Sequence, residues 1–445
     1  MERFFKLERP NTSQINNKRI IQSIVLEPEK LTQLIQKTSQ PVYLYWDKLK
    51  YKKLSEEFSH EELWTAIKFA RRVQSAKSVI KAEGGSHFTW FPLPGLEEFF
   101  HQIDLNTGGN LFAFAKDINE KEKYRFISRG IVEEAIASSQ LEGANTTRKL
   151  AKKFLQEGRK PKTEAEQMIL NNYQTMKAIE EEYRNKKIDL NLIFELHSMI
   201  VENTVPKEEQ GKFRKDDDNI VISDEKFIYH RPPKIVFVEE QIETLIKFAN
   251  DELGEPFIHP VIKAIMLHFW LGYLHPFTNG NGRLARLLFY WYLLKRGYWA
   301  FAYLPISKII RKSPSQYKYA YVYSEQDDLD LTYFIDYNIR KIKLALKDFE
   351  RYLNEKSLEN KRMNKLCHTK YSLNDRQIQL LQYYYDNRDE YTSPKAHMNI
   401  YQISKKTAIN DLKDLEKLGF VISKKVGKHI YYYVTEKIEE LFRQM

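Results

Sequence analysis

The chain has 445 residues and carries 71 Lys and Arg against 60 Asp and Glu, a formal net charge of +11. That length exceeds one ordinary core and calls for two or three domains. Abundant aromatics (28 Tyr, 26 Phe) beside only 16 Gly and 15 Pro favour packed helices over a turn-rich β architecture. A lone cysteine, Cys367, excludes an internal disulfide and suits a reducing cytoplasm, and no window approaches about 18 uninterrupted apolar residues, so no membrane span is expected. The opening Met-Glu-Arg-Phe-Phe-Lys-Leu-Glu lacks the apolar core of a signal peptide. Acidic and basic residues interleave along nearly the whole chain, so the positive charge reads first as solvated helix faces.

Residues 1–115 form a first segment. Glu61 to Arg72 has helical periodicity, and Gly84-Gly85 to Pro94-Gly95 breaks it with loop chemistry around Trp90 and Phe91. A helix is expected over 128–143, with Ser128 as N-cap, the apolar Ile131, Ala135, Ile136 and Leu141 after it, and Gly143 as its stop. Glu142 then sits at the negative end of the helix dipole, where a carboxylate needs a compensating cation. Glu164 to Ile179 reads as the next helix. Beyond Gly211-Lys212-Phe213-Arg214, the runs Ile220-Val221-Ile222 and Phe227-Ile228-Tyr229 flank a polar turn and predict a hairpin. Asp216-Asp217-Asp218 reads as a solvated loop, since no glycine-punctuated ligand spacing follows. Pro260 to Tyr273 is a helix, with His268 as a packed core histidine.

Residues 275–286 read His-Pro-Phe-Thr-Asn-Gly-Asn-Gly-Arg-Leu-Ala-Arg. The Gly280-Asn281-Gly282 turn can reach positive φ, so its N–H groups can converge on an anion. The apolar run Leu284 to Leu294 makes it a helix N-terminus, which binds phosphate well. Arg283 and Arg286 share a face there and can clamp further phosphate oxygens. His275 lies upstream as a general base. Phosphate-transfer chemistry is the expectation. Helices continue over 287–350, where Tyr317 and Tyr321 suit either a nucleotide base or core packing. A charged linker is expected over 351–371. Helices at Leu373 to Tyr385 and Asn399 to Leu418, then two β-prone runs in Phe420 to Val434, give the order of a winged helix over 372–440. Its recognition helix would be Ser404 to Leu412, basic and polar at its start, as phosphate and base-edge contacts require, although a winged helix can equally dock a protein.

The 275–286 stretch resembles the signature of the Fic family, His-x-Phe-x-(Asp/Glu)-Gly-Asn-Gly-Arg-x-x-Arg, departing from it at Asn279. Ser138-Ser139-Gln140-Leu141-Glu142-Gly143 resembles that family's inhibitory motif, (Ser/Thr)-x-x-x-Glu-(Gly/Asn). Tyr45-Trp46-Asp47 and Trp90 to Asp104 look like the module that precedes many bacterial Fic domains. The resemblance implies a mainly α fold: an all-helical Fic domain over 116–350 with a β-hairpin flap, a helical N-terminal module and a C-terminal winged helix-turn-helix. It implies an autoinhibited protein adenylyltransferase that moves AMP from ATP to a Ser, Thr or Tyr hydroxyl and releases pyrophosphate. In that scheme His275 is the base, and Gly280, Asn281 and Gly282 hold the α- and β-phosphates, with Asn281 also helping at the α-phosphorus. Arg283 and Arg286 orient the outer phosphates. Glu142, with Ser138, blocks Arg286. Asn279 stands where the family's Mg²⁺ ligand is a carboxylate, so weaker metal dependence or slower turnover is expected. The implied partners are a target segment added as a strand to the flap, the chain itself as a substrate, a second copy in a homodimer, and DNA at the winged helix. Two other functions fit the same residues: removal of AMP with Glu142 aligning a water, or a DNA-binding regulator whose Fic core senses nucleotide. Transfer of UMP, phosphocholine or phosphate also stays open.

Overall fold

The computed structural model describes residues 3–13, 15–105, 120–157, 160–386, 388, 391–401, 403–427 and 429–443. The end of the 1–115 segment and Lys428 in the wing turn therefore lie outside the described residues. The chain divides into two compact units, Met1–Asp348 and Phe349–Met445. Among the described residues, no helix is long and apolar enough to cross a membrane.

The first unit is built from helices α1 (Pro28–Ser39), α2 (His60–Gln74), α3 (Leu96–Ile103), α4 (Glu120–Leu141), α5 (Arg148–Glu157), α6 (Glu164–Ala178) and α7 (Leu190–Val201). Local chemistry starts several of them. Ser59 and Glu62 form a reciprocal capping box at α2, and the side chains of Thr163 and Asp189 accept N–H bonds at the starts of α6 and α7. Two hairpins interrupt the helices: β1 (Ala76–Lys81) with β2 (His87–Trp90), and β3 (Ile222–Ser223) with β4 (Ile228–His230), both antiparallel. The unit continues with α8 (Ile235–Ala249), α9 (Pro260–Leu274), α10 (Asn281–Lys295), α11 (Ile306–Ile310) and α12 (Pro314–Gln326).

Helices α9 and α10 form the centre. They are apolar nearly all round, as a helix enclosed by others must be. In α9 only Gly272 escapes full burial, and in α10 only Gly282 and Lys295 do. His268 is buried as expected, and its Nε2 meets Tyr317 Oη at 2.8 Å. Tyr317 and Tyr321 both pack into aromatic contacts with Phe334, and Tyr321 stacks on Phe269.

Helix α4 starts at Glu120, so Ser128 lies inside it and does not cap it. The apolar periodicity after Ser128 marks the buried half of a longer helix. Asn172 Nδ2 donates to Ala135 O, and Asn171 Nδ2 donates to Ile200 O and Glu202 O, so α6 ties α4 to α7. The N-terminal segment docks through Thr89, which exchanges backbone bonds with Leu329 and Leu331, and through Tyr43, whose Oη donates to Asp330.

Helix α13 runs Thr332–Tyr371, so the stretch expected as a linker is helical. Its Met363 and Cys367 are buried in the core of the second unit with Leu381, Leu412 and Phe420. That unit contains α14 (Asp375–Asp386), β5 (Tyr391–Thr392), α15 (Pro394–Tyr401), α16 (Lys405–Lys417), β6 (Val421–Val426), β7 (His429–Val434) and α17 (Lys437–Arg443). The two expected wing strands pair directly, and β5 adds a third in the order β5-β7-β6. Asp411, within the expected recognition stretch, points inward. Its carboxylate binds Asn374, Arg376 and His397, tying α16 to the two preceding helices.

Candidate active site

The site forms where α9 ends and α10 begins. His275 caps α9 in the left-handed region (φ 46°), a conformation few side chains adopt without support. The support is Arg214, which is buried: its Nε donates to His275 O at 2.9 Å, its Nη2 donates to Pro233 O, and its backbone N–H donates to Pro276 O. His275 Nδ1 lies 3.2 Å from Gly272 O. A carbonyl only accepts, so Nδ1 carries the proton and Nε2 keeps the lone pair. Burial, with the neighbouring His230 adding to it, pushes the imidazole down to about 4, so the ring is neutral at pH 7.

The loop itself is held from below. Phe277 is fully buried among Phe194, Phe213 and a stacked His197 ring. His197 Nε2 donates to Asn279 O at 3.0 Å, and its Nδ1 accepts from Gly211 N at 3.0 Å. Both nitrogens are thus committed in one neutral tautomer, and burial lowers this ring to about 4 as well. The Asn281 side chain is committed too, accepting from Phe277 N and donating to Phe277 O. Its amide therefore staples the loop. What Asn281 offers an anion is its backbone N–H.

Only Gly280 of the expected turn has positive φ (79°), as the N-cap of α10; Asn281 and Gly282 already belong to the helix. The first intrahelical bond is Leu284 N to Gly280 O. The N–H groups of residues 281–283 in the first turn thus make no intrahelical bond and point along the positive end of the dipole. The Gly280 N–H is taken by Asn279 Oδ1 at 2.6 Å. Glycine is needed at 282 for a different reason: an added Cβ would come to 2.8 Å from the Glu142 Cδ. The Glu142 carboxylate therefore stands directly over this first turn.

Glu142 pairs with Arg286. Arg286 Nη2 donates to Glu142 Oε1 at 2.9 Å and to Ser138 O at 3.0 Å, and Nε donates to Ser138 Oγ at 2.9 Å. Arg286 is 3% exposed, and its Nη1 finds no partner among the described residues. Burial opposes its charge, but the Glu142 carboxylate raises its affinity for the proton above that of a free guanidinium. Arg283 is fully buried, donates Nη1 to Ile200 O, and is lowered to about 10 by burial. Its position braces the loop more than it reaches outward.

The flap lies beside this end of α9. His230 bonds Tyr273 O and Glu325, and Asp224 at the flap turn accepts from Tyr229 and Lys318. The chain's own Arg3 to Phe5 fills one edge of β4, with Ile228 N donating to Arg3 O and Phe5 N donating to Ile228 O. The triple aspartate forms an exposed 3₁₀ turn, as a solvated loop should, and among the described residues no group of three or more His, Cys, Asp or Glu could hold a metal. The nine residues singled out from sequence thus come together, while Arg214, His197, His230 and Glu325 enter only with the structure.

Residues 187–293 match the model of the Fic/DOC family. The chain is 32% identical over 118 residues to the protein adenylyltransferase Fic of Nematostella vectensis, covering 26% of this chain and 25% of that protein. It is 31% identical over 112 residues to the protein adenylyltransferase fic-1 of Caenorhabditis elegans, covering 25% and 20%. It thus spans a quarter or less of the length of these relatives. A crystal structure of a Fic family protein from Desulfovibrio desulfuricans G20 aligns with a TM-score of 0.49 at 17% identity, covering 77% of this chain and 95% of that one.

Proposed function

We propose that this chain, which carries a Fic/DOC-family domain over residues 187–293, is a protein adenylyltransferase restrained by its own Glu142. It would move AMP from ATP to a Ser, Thr or Tyr hydroxyl of a target protein or of itself, releasing pyrophosphate. The observation that carries this reading is the Glu142 carboxylate: an internal anion over the first turn of α10, paired with an Arg286 that has a spare buried N–H. A site that accommodates a carboxylate between a helix N-terminus and a buried guanidinium is built for a phosphate.

In the proposed reaction His275 Nε2 takes the proton of the target hydroxyl, the oxygen attacks the α-phosphorus, and the bond to pyrophosphate breaks. The N–H groups of residues 281–283, left without intrahelical partners at the start of α10, stabilise charge gathering on the phosphate oxygens. Arg286, once released from Glu142, takes the terminal phosphates, and while paired it leaves them no seat. Arg283 holds the loop that presents these groups. A protein-held Mg²⁺ does not fit what is present, because Asn279 offers one neutral oxygen already bonded to Gly280 N–H. Any Mg²⁺ would arrive on the nucleotide's own phosphates. With one edge of β4 filled, β3 is the edge left for a target strand. A reducing, cytoplasmic setting belongs to the proposal, supported by the free, buried thiol of Cys367.

A second role is proposed for the other unit. Lys405 and Lys406 at the start of α16 and Lys424 and Lys425 on β6 are exposed, a basic set that suits duplex DNA. Transfer from ATP in Glu142→Gly, lost on His275→Ala, tests the enzyme. Salt-dependent duplex binding that is lost on Lys405→Glu with Lys406→Glu tests the second unit. Release of AMP from modified protein, with Glu142 required, would favour the hydrolytic direction, and a homodimer would appear as a doubled mass in solution.

A further inference from the structure

His230 ends β4 and is nearly buried. Its Nε2 lies 2.8 Å from Tyr273 O, and its Nδ1 lies 2.7 Å from Glu325 Oε2. The carbonyl can only accept, and an ionised carboxylate can only accept, so both ring nitrogens must donate and the ring is an imidazolium. Tyr273 O belongs to the last turn of α9, where unpaired carbonyls form the negative end of the dipole. The adjacent carbonyl, Gly272 O, holds His275 Nδ1. Two imidazoles are therefore bound to neighbouring carbonyls of one helix end, one charged and one neutral.

We propose that His230 is a positioning residue of this site: a fixed imidazolium, braced by Glu325, that caps α9 and keeps the adjacent His275 as the neutral, Nδ1-protonated ring. The charge of His230 makes a second positive charge on His275 unfavourable, and the bond to Tyr273 O fixes the backbone from which His275 springs. Other charges face the pair. Glu142 from the end of α4 favours the His275 proton, Arg214 opposes a proton on either ring, and Glu83 of the β1–β2 turn faces Arg214 and Tyr273. His230 gains proton affinity despite burial because Glu325 and Tyr273 O hold its N–H groups. A flap residue thus serves the base as well as the flap. The kinetic part of this proposal rests on the adenylyltransferase reading, whereas the protonation states do not.

The test is long-range ¹H–¹⁵N correlation of the histidine rings in the full chain over pH 3–9, in wild type, His230→Gln and Glu325→Gln. Wild-type His230 should show two protonated ring nitrogens past pH 7, and His275 a single neutral tautomer. In both variants the His275 titration should move up by about one pH unit, the usual scale for removing a nearby like charge. In a Glu142→Gly background the acid limb of the transfer rate should move by the same amount, with ATP affinity within about twofold of the parent; a merely structural role would leave the limb in place. A neutral His230 accepting from a protonated Glu325, or a His275 titration unmoved by both variants, overturns the proposal. No transfer by Glu142→Gly, together with a shifted His275 titration, refutes the adenylyltransferase reading and supports the assignment of His230.

Discussion

Replacing Glu142 with Ala should make the apo chain less stable and ATP an unusually strong stabiliser. Arg286 is 3% exposed and makes three bonds to Ser138 and Glu142. The substitution removes one charge-assisted bond and the only counter-charge that touches this guanidinium among the described residues. Breaking a fully buried pair costs about 3–5 kcal/mol. The Glu142 side chain is 27% exposed and Ser138 still satisfies two donors, so about 2 kcal/mol is the working figure. At roughly 2 °C per kcal/mol for a unit of this size, the melting temperature should fall by about 4 °C. ATP at a hundred times its Kd should then add about 2.7 kcal/mol and more than recover the loss. Wild type should gain much less, because its own carboxylate holds the place. Calorimetry of both chains with and without ATP reads all four values. Equal apo stability with equal ATP shifts would refute the claim that Glu142 is an internal anion at a phosphate site.

The remaining predictions concern the loop. His197 is fully buried with its proton affinity lowered from the ordinary 6.5 to about 4, so the unfolded chain takes up that proton first as pH falls. Its stability contribution is whole above pH 6.5 and is lost progressively toward pH 4, about 3 kcal/mol in all. Urea unfolding of His197→Gln should show a correspondingly shallower loss, the His275 contribution being common to both chains, and parallel curves would remove His197 from the account. Asn279→Asp should lower the Mg²⁺ concentration for half-maximal transfer roughly tenfold, about 1.4 kcal/mol of added attraction for the ion; an unchanged requirement would sink the idea. Arg214→Ala should cut transfer by about a hundredfold by loosening the His275 backbone, with ATP affinity little changed. A variant with full turnover would show that Arg214 does not hold the base.

How far this site is legible in sequence depends on whether a residue acts through its neighbours in the chain or through tertiary contacts. The 275–286 stretch is legible because a helix start, a glycine with positive φ and two arginines one turn apart are local facts. Ser138 and Glu142 are legible only by likeness to a motif, since nothing in their own segment says that Arg286 lies opposite. Ser128 misleads because a capping residue carries no marker of whether the preceding turn is already helical, and α4 begins at Glu120. Asn281 misleads because its amide finds partners within its own loop, at Phe277, which chain position alone does not reveal. The 351–371 stretch reads as a linker because its few apolar residues, Met363 and Cys367 among them, are too sparse for periodicity, yet they seat in the second unit's core. Arg214, His197 and His230 act across 61, 82 and 43 residues of chain, on His275, Asn279 and Tyr273 respectively, and no spacing rule reaches that far.

The central claim is that Glu142 restrains an adenylyl transfer for which His275 is the base. Its most direct test is incorporation of label from α-³²P-ATP into protein by wild type, Glu142→Gly, and Glu142→Gly with His275→Ala. The account predicts faint label, strong label and none, in that order. Equal label with and without His275, or no label in any lane from chains that bind ATP, would contradict it.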